Sequence, residues 1–208
     1  MTTHRTPTPV AGLLLAAGGG RRMGRPKAAV ELDGEPLVRR AVRALHAAGL
    51  APVVVVLGAG LPGTAALLDE GTAWVPAPGW DTEGQAASLR AGLEALAGTD
   101  AVAVLVALVD TPGIGADALA RVAARADGPD APRVLARGAV DGRAGHPVLL
   151  GRAHWEAVHA AASGDAGARG FLRGRDDVAA VEIGDVAVGD DLDTPEDLQR
   201  WAEAEPHR

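Results

Sequence analysis

Between positions 13 and 27 the chain reads Leu13-Leu14-Leu15-Ala16-Ala17-Gly18-Gly19-Gly20-Arg21-Arg22-Met23-Gly24-Arg25-Pro26-Lys27. An apolar run stops on three glycines, and Arg21, Arg22, Arg25 and Lys27 follow with no acid among them. Glycines let a backbone approach a ligand closely and adopt positive φ where needed. Successive N–H groups in such a loop form an anion-binding concavity, to which Arg22 and Lys27 would add mobile charge. A flexible Gly-rich turn with solvated arginines would use the same residues. The coincidence of glycines and cations favours a small anionic ligand, the phosphates of a nucleotide. Two familiar phosphate motifs fit badly. Gly19 and Gly24 have P-loop spacing, but Arg25 and Pro26 stand where Lys and Ser or Thr are required. A dinucleotide fingerprint needs glycine at Met23 and an acidic ribose ligand where Leu57-Gly58-Ala59-Gly60 stands.

Carboxylates follow at two places. Asp110 ends the run Val102 to Val109. A carboxylate there can hold Mg²⁺ against triphosphate oxygens, since Mg²⁺ takes one or two carboxylates plus phosphate and water; it could equally start the turn before Thr111-Pro112. Asp190, Asp191 and Asp193 crowd before Thr194-Pro195-Glu196-Asp197. Thr194 as N-cap, Pro195 at N1 and Asp197 at N3 make a good helix start. Capping does not explain the crowded acids, which would repel unless a cation were near. Ser88 falls near a helix start, where it could bind base or ribose or simply face solvent. His146, in Gly145-His146-Pro147, could face an acceptor molecule or enter a hairpin strand half-buried. Asp165 and Arg169 have the i, i+4 spacing of a surface pair, with acceptor binding or a dimer contact as the other reading.

The surrounding elements put these residues where ligands bind. Val10–Ala16, Pro52–Leu57 and Ala101–Val109 are apolar runs typical of strands buried on both faces. Helical periodicity covers 36–48, 62–69, 84–97, 116–126, 152–162, 166–173 and 195–204. Short strands are expected at 73–75, at 133–150 around an Asp141-Gly142 turn, and at 178–183. Alternating strands and helices indicate an α/β domain with a mostly parallel sheet, whose ligands bind at the carboxyl ends of strands. Residues 1–9 are expected to form a flexible arm and 10–204 one domain. With 208 residues, 48% of them hydrophobic, the chain can bury a sizeable core. A net charge of -7 argues against nucleic acid as partner. Cysteine is absent, which excludes disulfides and thiolate metal sites. No apolar run approaches membrane-spanning length, so a cytoplasmic protein is expected.

Leu15-Ala16-Ala17-Gly18, Arg22-Met23-Gly24 and Pro26-Lys27 together resemble the signature of the MobA-like nucleotidyltransferases. The resemblance runs from about 10 to 203. It takes in Trp80 with Gly84, Ser88-Leu89-Arg90-Ala91-Gly92-Leu93, Asp110-Thr111-Pro112, Gly145-His146-Pro147, Gly164-Asp165-Ala166-Gly167-Ala168-Arg169 and Asp193-Thr194-Pro195-Glu196-Asp197-Leu198. It implies a three-layer α/β/α, Rossmann-like (GT-A-like) nucleotidyltransferase fold. It also implies transfer of a nucleotide from a triphosphate to molybdopterin or another small phosphorylated acceptor, with loss of pyrophosphate. By this resemblance Arg22, Lys27 and Asp110 are catalytic. Leu15, Ala16, Ala17, Gly18, Gly19, Gly20, Arg22, Lys27 and Ser88 bind the nucleotide. Asp110 and Asp193 hold Mg²⁺, with Asp191 as substitute for the second, and His146 meets the acceptor. Ala17 resembles the cytidylyl and uridylyl branches, the guanylyl branch tending to have glycine there, and its methyl narrows the space beside the base; CTP is therefore the expected donor. Thr111, Gln85 and Gly20 depart from the usual Gln, Met and Ser, so the acceptor can differ from molybdopterin. The protein is expected to be a monomer or homodimer. Two rivals remain: an NADP-dependent oxidoreductase using Gly18, Gly20 and Gly24 with Arg21 or Arg22 on the 2′-phosphate, and a non-catalytic nucleotide-binding or cofactor-chaperone module.

Overall fold

The computed structural model describes residues 9–204; the expected arm lies outside them except for Pro9, whose carbonyl accepts from Val102 N at 2.9 Å. The elements are β1 (Val10–Ala16), β2 (Glu31–Leu32), β3 (Glu35–Pro36), α1 (Leu37–Ala47), β4 (Val53–Leu57), β5 (Ala73–Pro76), α2 (Gln85–Leu96), β6 (Ala103–Leu108), α3 (Ala116–Ala123), β7 (Leu135–Val140), β8 (Arg143–Gly151), α4 (Trp155–Ala161), α5 (Arg169–Leu172), β9 (Ala179–Glu182) and α6 (Pro195–Ala204). Seven strands form one sheet in the order β5-β4-β1-β6-β8-β7-β9, and β2 with β3 forms a separate hairpin. The strands from β5 to β6 pair in parallel, β8 runs against both its neighbours, and β7 pairs in parallel with β9.

Side chains alternate between two cores, as the two-residue period of a strand requires. Leu14, Ala16, Val53, Val55 and Leu57 face a layer built from α1 and α3, with Val42, Leu45, Leu119 and Val122 in contact and Leu198 and Trp201 of α6 packed on it. Leu13, Leu15, Val54 and Val56 face the other layer, with Leu89, Leu93 and Leu96 of α2, Trp155 and Val158 of α4, and Leu172 of α5. This is the three-layer α/β/α arrangement that the resemblance implied, on the mostly parallel sheet expected from the alternating pattern.

Sheet order fixes where a ligand can bind. From β1 the chain steps outward to β4 and β5, then returns to β6 on the opposite side of β1. The strand order therefore reverses between β1 and β6, and a crevice opens beyond their carboxyl ends. Leu15 pairs with Leu108 in register, so the glycine loop and Asp110 leave the sheet side by side.

Some local expectations change. Residues 62–69 form only a 3-10 turn at Ala65–Leu67, because Pro62 and Gly63 leave too short a stretch for a helix. The expected helix 166–173 is interrupted by Gly167, at φ 50, between a 3-10 turn at Gly164–Ala166 and α5. Asp165 and Arg169 therefore share no helix and, among the described residues, make no ion pair. Pro36 belongs to β3, a two-residue strand too short to show a period in the sequence.

Candidate active site

The glycine loop is folded by its own backbone. Lys27 N donates to Gly18 O at 3.2 Å, closing the loop on itself. Gly20 has φ +57, and a Cβ there would collide with the Arg25 carbonyl, so only glycine fits. Gly18 faces open space instead. Pro26 ends the loop, and a 3-10 turn at Lys27–Ala29 buries Ala28, which fixes the direction of Lys27.

From that anchor the Lys27 ammonium donates to Asp110 Oδ2 and to Asp193 Oδ1, both at 2.5 Å. The Arg22 guanidinium stands 3.7 Å from the other Asp193 oxygen. Burial alone would lower the Lys27 pKa, but the charges and hydrogen bonds of Asp110, then Asp193, outweigh it and raise it above 10.5. Two connections bring carboxylates 83 residues apart in sequence to one nitrogen. Leu192 N donates to Asp110 O at 2.8 Å, tying the approach to α6 onto the end of β6. Asp197 Oδ2 accepts from Asp193 N at 3.0 Å and Thr194 N at 2.8 Å, while Thr194 Oγ1 accepts from Asp197 N at 3.2 Å. This is a capping box with Asp at N3, as the sequence suggested. Those donors, Thr194 first, hold the Asp197 pKa down to about 2.

The arrangement fits a divalent cation. Two carboxylates converge on one positive charge, and Asp110 Oδ1 is buried with no hydrogen-bond partner. Among the described residues no group of three or more His, Cys, Asp or Glu could hold a metal, so further ligands would come from phosphate and water, the usual pattern for Mg²⁺. Asp191 is the third nearby acid; burial first, then Asp110 and Asp193, push its pKa up.

Two cavities meet here. The first, of ≈ 500 Å³, is bounded by the glycine loop, Lys27, Asp110, Trp80 and the first turn of α2. Leu15, Ala17, Gly18, Gly19, Lys27 and Ser88 line it, and Ser88 is buried rather than on the helix surface. Ala16, Gly20 and Arg22 do not line it. The second, of ≈ 510 Å³, shares Leu15, Gln85 and Leu108 with the first and holds His146 and Asp191. His146 keeps some exposed surface, but its ring is so densely packed that burial pushes its pKa down to about 4. The imidazole is therefore neutral at physiological pH.

The model of the MobA-like NTP transferase domain matches residues 12–180. The chain belongs to that family. As a MobA-like transferase it is a nucleotidyltransferase, and enzymes of this kind use divalent metals. It is 37% identical over 204 residues to the nicotine blue oxidoreductase of Paenarthrobacter nicotinovorans, covering 92% of this chain and 95% of that one. It is 39% identical over 118 residues to the molybdenum cofactor guanylyltransferase of Rhodobacter capsulatus, covering 56% of this chain and 59% of the relative. The manganese complex of Rv0371c from Mycobacterium tuberculosis H37Rv superposes with a TM-score of 0.74 at 25% identity, covering 95% of this chain and 100% of that one.

Several residues of this MobA-like site have places in it that no motif gives. Trp80 walls the first cavity: a Cβ on Gly58 would lie 2.6 Å from its Cγ, and one on Gly19 3.1 Å from its Cζ3. The glycines at 19 and 58 make room for the indole, a pairing that only the fold reveals. Arg137 and Arg169 line the second cavity. Arg137 sits in no spacing that marks it, whereas Arg169 closes the Gly164-Asp165-Ala166-Gly167-Ala168-Arg169 motif.

Proposed function

We propose that the protein transfers CMP from CTP to a phosphorylated small acceptor such as molybdopterin, in the cytoplasm, with Mg²⁺ bound at Asp110 and Asp193. The observation that carries the assignment is the single cation held between Asp110 and Asp193 at the mouth of a glycine loop, with a second cavity alongside. An oxygen of the acceptor attacks the α-phosphorus in line. The bond from phosphorus to the bridging oxygen breaks, and pyrophosphate leaves with the electron pair. Little covalent work falls to the protein, so catalysis is positioning and charge stabilisation. The Gly18–Gly20 amides, Arg22 and Lys27 hold the β- and γ-phosphates, and Ser88 with the amino end of α2 meets the base or ribose. Lys27 and Arg22 take up the charge that develops on the leaving group. When bound, Mg²⁺ neutralises phosphate charge and polarises the α-phosphate.

The choice of CTP rests on Ala17. Its methyl is buried beside Gly58 and Trp80, so it supports the indole wall of the cavity, and glycine in its place would leave that wall room to recede for a purine. The experiment is a pyrophosphate-release screen of CTP, GTP, UTP and ATP against molybdopterin and small phosphorylated acceptors, with and without Mg²⁺. Release with CTP and Mg²⁺ is the expected result; preference for GTP would overturn the base assignment, and binding without release would favour a non-catalytic module.

A second use of the same cleft has one specific support, the oxidoreductase name of a relative that matches nearly the whole chain. Under it the glycine loop would hold NADPH, with Arg21 or Arg22 at the 2′-phosphate. Oxidation of NADPH by a dye, followed at 340 nm and unaffected by chelation of divalent metal, would favour that use.

A further inference from the structure

The second cavity carries two guanidinium groups that have no carboxylate partner among the described residues. Arg137, from β7, is half-buried; its Nε donates to Gly145 O at 3.3 Å and its Nη2 to Ala144 O at 3.2 Å. These carbonyls pin the group against β8 through Nε and Nη2. Arg169, at the start of α5, makes no ion pair or side-chain hydrogen bond among the described residues, and it lines the same cavity. Burial first, then the nearby Arg169 charge, lowers the Arg137 pKa. Arg137 is half-buried and Arg169 exposed, and two like charges lining one cavity repel unless an anion lies between them.

The opposite sign lies elsewhere in the cavity. Asp191 lines it and feels Asp110 and Asp193. His146 feels both ends, Asp110 raising its proton affinity and Arg137 and Arg169 lowering it. Being neutral, it compensates neither. The cavity is thus polar along its length, acidic toward the reacting centre and basic away from it.

We propose that Arg137 and Arg169 form a cradle for an anionic group of the acceptor, a phosphate or carboxylate separate from the oxygen that attacks the nucleotide. This rests on the second cavity being the acceptor's. The acceptor is then a two-ended molecule: a nucleophilic oxygen beside Asp110 and an anion on the arginine pair. Guanidinium groups suit this task because their planar forks bind oxyanions through paired donors. An acceptor lacking the second anion would be bound weakly and used poorly.

The test reads the arginines directly. Protein labelled with ¹⁵N-arginine, in the presence of CTP and Mg²⁺, is titrated with inorganic phosphate, with acetate and with glycerol while the Nε–H resonances are followed. Each resonance is assigned by its loss in Arg137→Gln or Arg169→Gln. Phosphate or acetate is expected to shift both resonances, and whichever binds more tightly identifies the group on the acceptor. Arg169→Gln should weaken the response at Arg137 at least tenfold. If Arg137→Gln fails to fold, Arg137→Lys and the exposed Arg169→Gln serve, melting temperatures confirming the fold. No shift with either anion, an equal shift with glycerol, or an unchanged Arg137 response in Arg169→Gln would overturn the cradle. The titration also separates it from the transfer assignment. Failure of CTP to bind would sink the latter and leave anion shifts intact, whereas absent shifts with CTP bound would sink the cradle alone.

Discussion

Lys27 holds the site together at the scale of single residues. Its ammonium satisfies one oxygen of Asp110 and one of Asp193, while the other Asp110 oxygen stays buried and unpartnered. Removing one such preorganised charge typically costs about 3–4 kcal/mol of transition-state stabilisation, or ~10²–10³ in rate. Lys27→Ala and Asp110→Asn should each lower turnover that far without unfolding the protein, as steady-state pyrophosphate release and a melting curve would show; near-normal turnover would remove both residues from the mechanism. His146 supplies a pH dependence. Its pKa is about 4 in the folded protein because of burial, against ~6.5 in an unfolded chain. Below ~6.5 the unfolded chain takes up a proton that the folded one refuses. Stability should therefore be full above that pH and decline by up to about 1.4 kcal/mol per pH unit until ~4. Urea unfolding at pH 7 and pH 4.5 would measure this, and His146→Gln should flatten the difference.

At the scale of elements, the ends matter more than the bodies. The capping box at α6 makes five hydrogen-bonding atoms of Asp193, Thr194 and Asp197 act together. Thr194→Ala should cost about 1 kcal/mol of stability. Because the same cap aims Asp193, activity should need more Mg²⁺ to saturate; an unchanged Mg²⁺ requirement with lowered stability would show that the cap has no part in the site. Gly20→Ala asks an alanine to hold φ +57 against the Arg25 carbonyl. It should weaken CTP binding in a titration far more than Gly18→Ala, where a methyl meets nothing within 4 Å. Much of this level was legible in the sequence. β1, β4 and β6 are continuous apolar runs, and the cap at α6 announces itself by Thr194, Pro195 and Asp197. The β2–β3 strands show no period at two residues each, and only the Asp33-Gly34 turn between them, with positive φ at both residues, marks the hairpin in the sequence. Trp80 stands in a family motif, yet its place as a wall depends on Gly19 and Gly58 from two other segments. Arg137 was hidden for a similar reason, since no local spacing records that β7 and α5 line one cavity; Arg169 stood in a family motif, but its i, i+4 spacing pointed to Asp165 as its partner.

The whole molecule works as a frame that brings distant ends to one crevice. The reversal of strand order between β1 and β6 places the glycine loop beside Asp110, and the tie from Leu192 to Asp110 adds Asp193 from the last turn before α6. A ligand spanning these parts couples β1, β6 and α6, so its binding must appear as global stability. At a concentration about 100 times the dissociation constant, a ligand of the folded state adds about 2.7 kcal/mol. For a chain of this size that is a rise of about 5–11 °C in Tm. CTP with Mg²⁺ should produce such a rise. CTP with a chelator should produce much less, because the triphosphate then faces Asp110 and Asp193 with Lys27 alone between them. Asp193→Asn should remove most of the Mg²⁺-dependent part. Arg169→Gln should leave it whole, since that residue lines the second cavity and not the first. A rise that is the same with and without metal would mean the carboxylates serve only to hold Lys27, and the crevice would then be a phosphate-binding frame without a metal centre.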